Sequence, residues 1–439
     1  MNTNPPRHIP FAALRFRDYR LLWSGQLISN VGSAMQTLAI NWHISVLTNF
    51  DPLALGLLGL SRFIPIVFFS LIGGAMADAR DRRKLMIVTQ SALAIFAAAL
   101  GLLTDHGLSV VWPIYALSAM AAAARAFDAP ARQALVPSLV PREHLTNALS
   151  LNSVMMQTAT IFGPPLAGLI IGSRQDLAVV RQNIVLADQH IAAVYWLNAL
   201  SFLAVIVALF LMKPITVATR KVDLGSVREG LAFVRRQPII WSTMTLDFFA
   251  TFFSAADQLL PIFAAKILNV GPQGFGLLQS APAIGALLSG STLSVIASRI
   301  KRPGALILWS VTLYGVATAA FGLSTSFWLS LIFLGLTGIA DNVSTILRST
   351  IRQLVTPDHL RGRMTSVNMI FFMGGPQLGE VEAGLVAALI GAPLSVVTGG
   401  LGCLLAVAFI AWKVPMLRKF DEHDLRRAGE ALALGAVGK

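Results

Sequence analysis

Apolar residues in this chain fall into twelve runs, each about as long as a helix needs to cross a bilayer, with short polar breaks between them. The runs cover roughly 20–47, 53–77, 85–104, 109–136, 146–172, 191–212, 239–265, 274–298, 304–323, 327–350, 364–390 and 393–412. A hydrocarbon core about 30 Å thick takes about 20 helical residues at 1.5 Å each. No water is present there to satisfy the backbone, so such a run must close its own hydrogen bonds as a helix. Composition agrees: 55% of the residues are hydrophobic and 13% charged, against roughly 25% charged in an average soluble domain. The expected fold is an all-α membrane protein with twelve transmembrane helices. The first run is too long for a signal peptide and has no convincing cleavage site, so it is expected to stay as the first span.

Lysine and arginine set the expected orientation, because they concentrate on the cytoplasmic side. With both termini cytoplasmic, the inner segments hold 28 of the 34 basic residues and the outer loops only Arg174, Arg181 and Lys266. Arg62, Arg125 and Arg348 lie inside runs. The net charge of +13 thus sits at the membrane surface. It does not form the basic face of a soluble domain that nucleic acid would need. One inner segment, 213–238, is longer and basic, with an amphipathic helix expected at 227–236. It divides the chain into a cytoplasmic segment 1–19, a six-helix bundle 20–212, a linker 213–238, a second six-helix bundle 239–412 and a cytoplasmic tail 413–439.

The halves repeat. A shift of 216 aligns Arg132 with Arg348, Pro141 with Pro357, Asn152 with Asn368 and Gly163 with Gly379. A shift of 220 aligns Gly56-Leu57-Leu58 with Gly276-Leu277-Leu278. Two pseudo-symmetric six-span halves in the same orientation are a design associated with alternating-access transporters.

Between the second and third runs the stretch GGAMADARDRRKLM (73–86) packs six charges into the seven positions from Asp78 to Lys84. One reading is a plain cytoplasmic anchor. The other is a latch, in which Asp78 meets helix N–H groups or an arginine in one conformation and releases them in another. Gly74, Asp78, Arg82, Arg83 and Lys84 resemble the loop signature of the major facilitator superfamily: a Gly, three residues, an Asp, then a basic cluster. Ala79 and Asp81 depart from its commonest form. Asp81 before Arg-Arg, together with RAFDAPARQALVP (125–137), is similar to the branch that holds the enterobactin exporter and related drug exporters. In the fifth run, ATIFGPPLAG (159–168) is similar to the family's antiporter signature through Gly163, Pro164 and Gly168, with Ala159 and Ala167 replacing two glycines. Small residues four apart let helices approach closely and prolines bend them, which also describes ordinary membrane packing. The resemblance implies proton-linked export rather than uptake.

Charges inside the runs cost about 2.5–3.5 kcal/mol each even on the lenient insertion scale, so function is their default reading. Arg125 and Asp128 are three apart and share a helix face, either as a structural pair or as part of the coupling. Glu380 and Glu382 are two apart and face different ways. Asp247 and Asp257 lie in the seventh run, and Asp341 in the tenth. A carboxyl exposed to each side in turn can take a proton on one and release it on the other, and Glu380 and Asp247 are the preferred titrators. Asp257, nearer the outer end, has the alternative of simply meeting water. Arg62 is either a cavity residue or a gate. Phenylalanine and methionine pairs such as Phe248-Phe249, Phe252-Phe253 and Phe371-Phe372 suit an adaptable apolar cavity, or equally a lipid-facing or helix-packing surface.

No Walker loop, nucleotide-binding domain or metal-spaced His/Cys cluster appears in the sequence. Cys403 is the only cysteine, so no disulfide can form within the chain. No cofactor and no metal is expected. The expected protein is not an enzyme. It is a secondary transporter of the bacterial inner membrane, exporting a small amphiphilic drug- or siderophore-like molecule by alternating access and coupled to protons. It would be competent as a monomer, with the lipid bilayer and the small molecule as partners. Import of a small nutrient is the main alternative. An intramembrane lipid-modifying enzyme would need converging catalytic groups at one depth, and a sensor derived from a transporter is the third reading.

Overall fold

The computed structural model describes residues 11–172, 184–213, 232–235, 237–254, 256–296, 299–357 and 360–421. Among the described residues there are twelve long helices: α1 Arg17–Leu47, α2 Pro52–Ala79, α3 Arg82–Asp105, α4 Trp112–Leu135, α5 Leu145–Gly172, α6 Ile184–Leu211, α7 Pro238–Phe253, α8 Gly271–Ile296, α9 Pro303–Leu323, α10 Phe327–Val355, α11 Arg361–Ile390 and α12 Ala392–Lys413. Among the described residues there is no strand. Most of the linker 213–238, and most of the amphipathic helix expected at 227–236 within it, lies outside the described residues; 232–235 are helical.

Local chemistry places the helix ends. Proline at the first turn opens α7 and α9, where its missing N–H costs nothing. Asp81 caps α3, its carboxylate accepting from the Arg83 and Lys84 amides at 3.0 and 3.3 Å. Gly391 joins α11 to α12 in one residue at φ 88°, a left-handed geometry that a side chain would resist.

The solvent of the outer faces is lipid. Leu389, Val295, Trp412 and Leu405 are each more than 70% exposed, a pattern that water would penalise over so many large apolar groups. Among the described residues seven of these helices, and the segment Pro238–Ile267 that begins with α7, are long and apolar enough to cross a membrane; α1, α4, α8 and α11 are the remainder. The polarity of α1 is turned inward: Gln26, Ser29, Gln36, Asn41, His43 and Ser45 are all buried.

Two compact units emerge. One comprises Met1–Ile40 and Ile64–Val222, the other Asn41–Phe63 and Asp223–Lys439, so the division runs through α1 and α2. In the first unit α3 packs on α4 and α6; in the second, α9 packs on α10 and α12 in the same pattern. The second unit adds α8 against α10 and α7 against α11 and α12. Backbones meet directly at these seams. A Cβ on Gly285 would run into the Gly335 carbonyl, and one on Gly338 into the Pro282 carbonyl. Such contacts are how membrane helices gain dispersion energy in a solvent that offers no hydrophobic drive.

The seventh run does not form one continuous helix. Helix α7 stops at Phe253, Ser254 turns, and a 3-10 turn Ala256–Leu259, a short helix Leu260–Ile262 and a π-turn Phe263–Ile267 carry the chain on to α8. Broken helices at membrane depth are tolerated where protein or a cavity satisfies the freed backbone. Gln258 ties the broken stretch to α2, its side chain donating to the Leu55 carbonyl at 2.7 Å.

Candidate functional site

The second unit holds a buried charge cluster built on one face of α10. Asp341, Thr345, Arg348 and Arg352 follow at spacings of four, three and four, which stacks them along the helix. Arg348 is 1% exposed, and one of its Nη atoms lies 2.7 Å from an Asp247 oxygen on α7 and 3.7 Å from an Asp341 oxygen. The same nitrogen donates to the Thr345 hydroxyl at 2.9 Å. Asp247 is as buried as its partner, whereas Asp341 is about half exposed, at 49%. Arg352, also buried, stands within electrostatic range of both Arg348 and Asp247. The cluster is under-satisfied: Arg348 Nε, Arg352 Nη1 and the Ser344 hydroxyl are buried without a hydrogen-bond partner among the described residues. Arg348 was legible only as a charge inside a run. Its place at the centre of the cluster depends on a helix a hundred residues earlier.

Next to this cluster an aromatic ladder runs over α7 and α11. Phe248 stacks on Phe252 and Phe249 on Phe253, with ring centroids 5.9 and 6.1 Å apart, while Phe371 meets Phe248 and Trp241 edge-on. Phe249, Trp241 and Phe372 remain open to the surroundings.

Glu380 on α11 forms a second focus. It packs against the first turns of α2, where Gly56 and Gly59 leave room for it. A Cβ on Gly59 would stand 2.6 Å from Glu380 Oε2, and one on Gly384 would stand 2.7 Å from the Gly56 Cα. Glu380 Oε2 is buried and lacks a hydrogen-bond partner among the described residues. Arg62 and Asp257 are its charged neighbours. Asp257 is exposed, in the broken stretch after α7. Glu382 is half-buried, two positions on and turned away. Neither Gly56 nor Gly59 carries a sequence signal of this role, since their partner lies more than 300 residues away.

In the first unit Asp128, Arg132, Arg82 and Arg83 find neutral partners. Asp128 is buried and accepts from the Thr89 hydroxyl and the Gln90 amide of α3, both at 2.9 Å. Arg132 donates to the Gln26 side chain at 2.9 Å. Arg82 donates to the Ala134 carbonyl at 2.9 Å, and Arg83 donates to the Leu209 and Phe210 carbonyls, so the two arginines cap the last turns of α4 and α6. Lys84 contributes its backbone to the Asp81 cap, and its side chain is exposed. Gly74 and Asp78 lie in α2, with side chains outside the described residues. Gly163 brings α5 onto α1: a Cβ there would stand 2.5 Å from that of Ala34 and 3.0 Å from the Val31 carbonyl. Pro164 and Gly168 are buried on the same helix. Among the described residues no group of three or more His, Cys, Asp or Glu side chains has a geometry that would hold a metal ion.

The sequence profile of a family described as transmembrane secretion effectors, within the major facilitator superfamily, matches residues 8–432. Macrolide efflux protein A of Streptococcus pyogenes is 22% identical over 407 residues, covering 91% of this chain and 96% of its own. The enterobactin exporter of Escherichia coli O127:H6 is 24% identical over 412 residues, covering 92% and 93%. Among solved structures, a bacterial homologue of the human lysosomal transporter Spinster, inward-facing and occupied, superposes with a TM-score of 0.71 at 15% identity, over 92% of this chain and 97% of that one. A bacterial homologue of the iron transporter ferroportin gives 0.70 at 17%, over 91% and 99%. These likenesses bear on the fold alone.

Proposed function

We propose that this chain, which belongs to the transmembrane secretion effector family of the major facilitator superfamily, is a proton-driven exporter of a small amphiphilic organic molecule. The relatives that span nearly its whole length are named for efflux of a macrolide and export of a siderophore. They support cargo of that size and an outward direction. The protein sits in the bacterial inner membrane with both termini cytoplasmic, an orientation that the distribution of lysine and arginine supports. It works as a transporter and not as an enzyme.

The observation that carries the coupling is the presence in one unit of a charge cluster, Arg348 with buried Asp247 and half-exposed Asp341, and of the half-buried Glu380, whose Oε2 is buried against Gly59 of α2. A carboxyl that moves between dry and wet surroundings changes its hold on a proton. Separation of α2 from α11 would wet Glu380, and closure would dry it again. Asp341, the half-exposed member, is the group of the α10 cluster that a substrate or water can reach. The aromatic ladder of α7 and α11 offers an apolar wall beside it. Asp128 holds α4 to α3 through Thr89 and Gln90 in support of this machinery, with Arg125 one turn earlier on the same helix. Gly74, Asp78 and the Arg82–Lys84 cluster latch the first unit's inner end, and the Gly163–Pro164–Gly168 bend sets how closely α1 and α5 approach.

Everted membrane vesicles test the proposal. Substrate should accumulate only when the lumen is acidified, and collapse of the gradient should release it. Equilibration indifferent to the gradient would reject the antiport, and uptake in the opposite sense would favour import.

A further inference from the structure

A groove of about 310 Å³ opens at the end of α8, between α10 and the loop that leads into α9. Its walls are apolar: Leu293 from α8, Ile300 and Pro303 from the loop, and Ile346 from α10, with Ser294 and Thr350 at the rim. Val295, beside the rim, is 76% exposed, so this side of α8 faces hydrocarbon. The loop that closes the groove reads Arg299-Ile300-Lys301-Arg302, and all three cations are exposed. Among the described residues none of them is engaged in an ion pair or a side-chain hydrogen bond. The groove's lining contains no Asp or Glu, and the loop beside it contributes three cations; Arg348 of α10 is already paired with Asp247 and Asp341.

The matching loop of the first unit gives the comparison. A shift of 220 places Arg302 opposite Arg82 and Lys301 opposite Asp81. There the charges are used internally: Arg82 and Arg83 cap carbonyls of α4 and α6, and Asp81 caps α3. In the second unit Asp81 is replaced by a cation and α9 begins with no side-chain cap. Among the described residues no carboxylate pairs with these three cations, and the site sits where a run meets its polar break, at headgroup depth.

We infer that this groove binds one anionic phospholipid of the inner leaflet, its acyl chain along Leu293 and Ile346 and its phosphate among Arg299, Lys301 and Arg302. Basic clusters at helix ends attract anionic headgroups at about the strength of one weak ionic contact per residue. Three such residues over an apolar slot suffice for a site selective for headgroup charge. The inference uses the proposed orientation to name the leaflet, and it is independent of cargo and of proton coupling, so a binding assay separates it from the transport reading.

Native mass spectrometry of the full-length protein in detergent is the test, with palmitoyl-oleoyl phosphatidylglycerol and the phosphatidylcholine of the same chains as probes. Phosphatidylglycerol should be retained in preference to phosphatidylcholine, and the preference should shrink as ionic strength rises. The combined variant Arg299→Gln, Lys301→Gln, Arg302→Gln should weaken phosphatidylglycerol retention on the order of a hundredfold and leave phosphatidylcholine as it was. Thr350→Trp, which fills the mouth from an exposed position, should lower retention without any change of charge. Water-soluble glycerol phosphate at millimolar concentration should not compete. Equal retention of the two lipids by the parent protein would overturn the inference. So would full retention in either variant, or displacement by glycerol phosphate alone.

Discussion

Arg132 of α4 and Arg348 of α10 stand at matching places, 216 positions apart, yet their partners differ in kind. Arg132 meets a neutral amide at 2.9 Å; Arg348 meets one carboxylate at 2.7 Å and a second at 3.7 Å. The same contrast holds for the acids. Asp128 is held by a hydroxyl and an amide, while Asp247 is held by an arginine. It holds again in the loops, where Arg82 and Arg83 end on carbonyls and Arg299, Lys301 and Arg302 are exposed. A repeat thus preserves helix pairing while the chemistry of its halves diverges. The first unit ties Asp128, Arg132, Arg82 and Arg83 into hydrogen bonds with neutral groups, whereas the second holds Arg348 in ion pairs and leaves its Nε without a partner among the described residues, an arrangement that a proton or a ligand can alter.

The largest expected effect separates these two arginines. Arg348→Leu leaves Asp247 buried without its counter-charge and should cost about 3–5 kcal/mol, enough to remove most folded protein from the membrane. Adding Asp247→Leu should restore a well-behaved, thermostable protein, because two apolar residues tolerate the site. Transport should stay absent in the double variant. Arg132→Leu loses only a charge-assisted hydrogen bond to an amide and should cost about 1.5–3 kcal/mol. Detergent-solubilised melting temperatures for the three variants rank them. Equal losses at Arg132 and Arg348 would erase the distinction between the units.

Steric substitutions come next. Gly59→Val places methyl groups where Glu380 Oε2 now stands, and overpacking of this kind costs about 1–3 kcal/mol. Gly163→Val forces α5 from α1 at similar cost. The two should part in their pH response. Gly59→Val should displace Glu380 and flatten the dependence of transport on proton gradient; Gly163→Val should lower the rate at every pH and leave the profile's shape unchanged. Flux assays across a pH series give the answer. The smallest effect is expected at Arg83→Gln, which removes one cationic cap from the end of α6 and should cost about 0.3–1 kcal/mol.

Helix positions were legible because lipid is an unforgiving solvent: a run of about 20 apolar residues has one structure available to it. The expected span 85–104 became α3 at Arg82–Asp105, and 364–390 became α11 at Arg361–Ile390. The break at Ser254 leaves no mark in the sequence, because the run stays apolar across it and hydropathy does not report where a backbone leaves the α conformation. Glu380 could be read as a costly charge, but the pair of glycines that seats it belongs to the other end of the chain. The basic cluster after α2 was legible as charge, while the carbonyls on which Arg82 and Arg83 end were not. Such caps depend on where distant helices stop. Gly74 and Asp78, the most family-like residues of that loop, stay with the latch proposal.

Proton movement is the quantity on which the account turns. With the purified protein in liposomes and a trapped pH dye, addition of a transported substrate to one side should drive protons to that same side, and Glu380→Gln should abolish this response while substrate still binds. Substrate flux with no proton movement, or an undiminished proton response in Glu380→Gln, would contradict it.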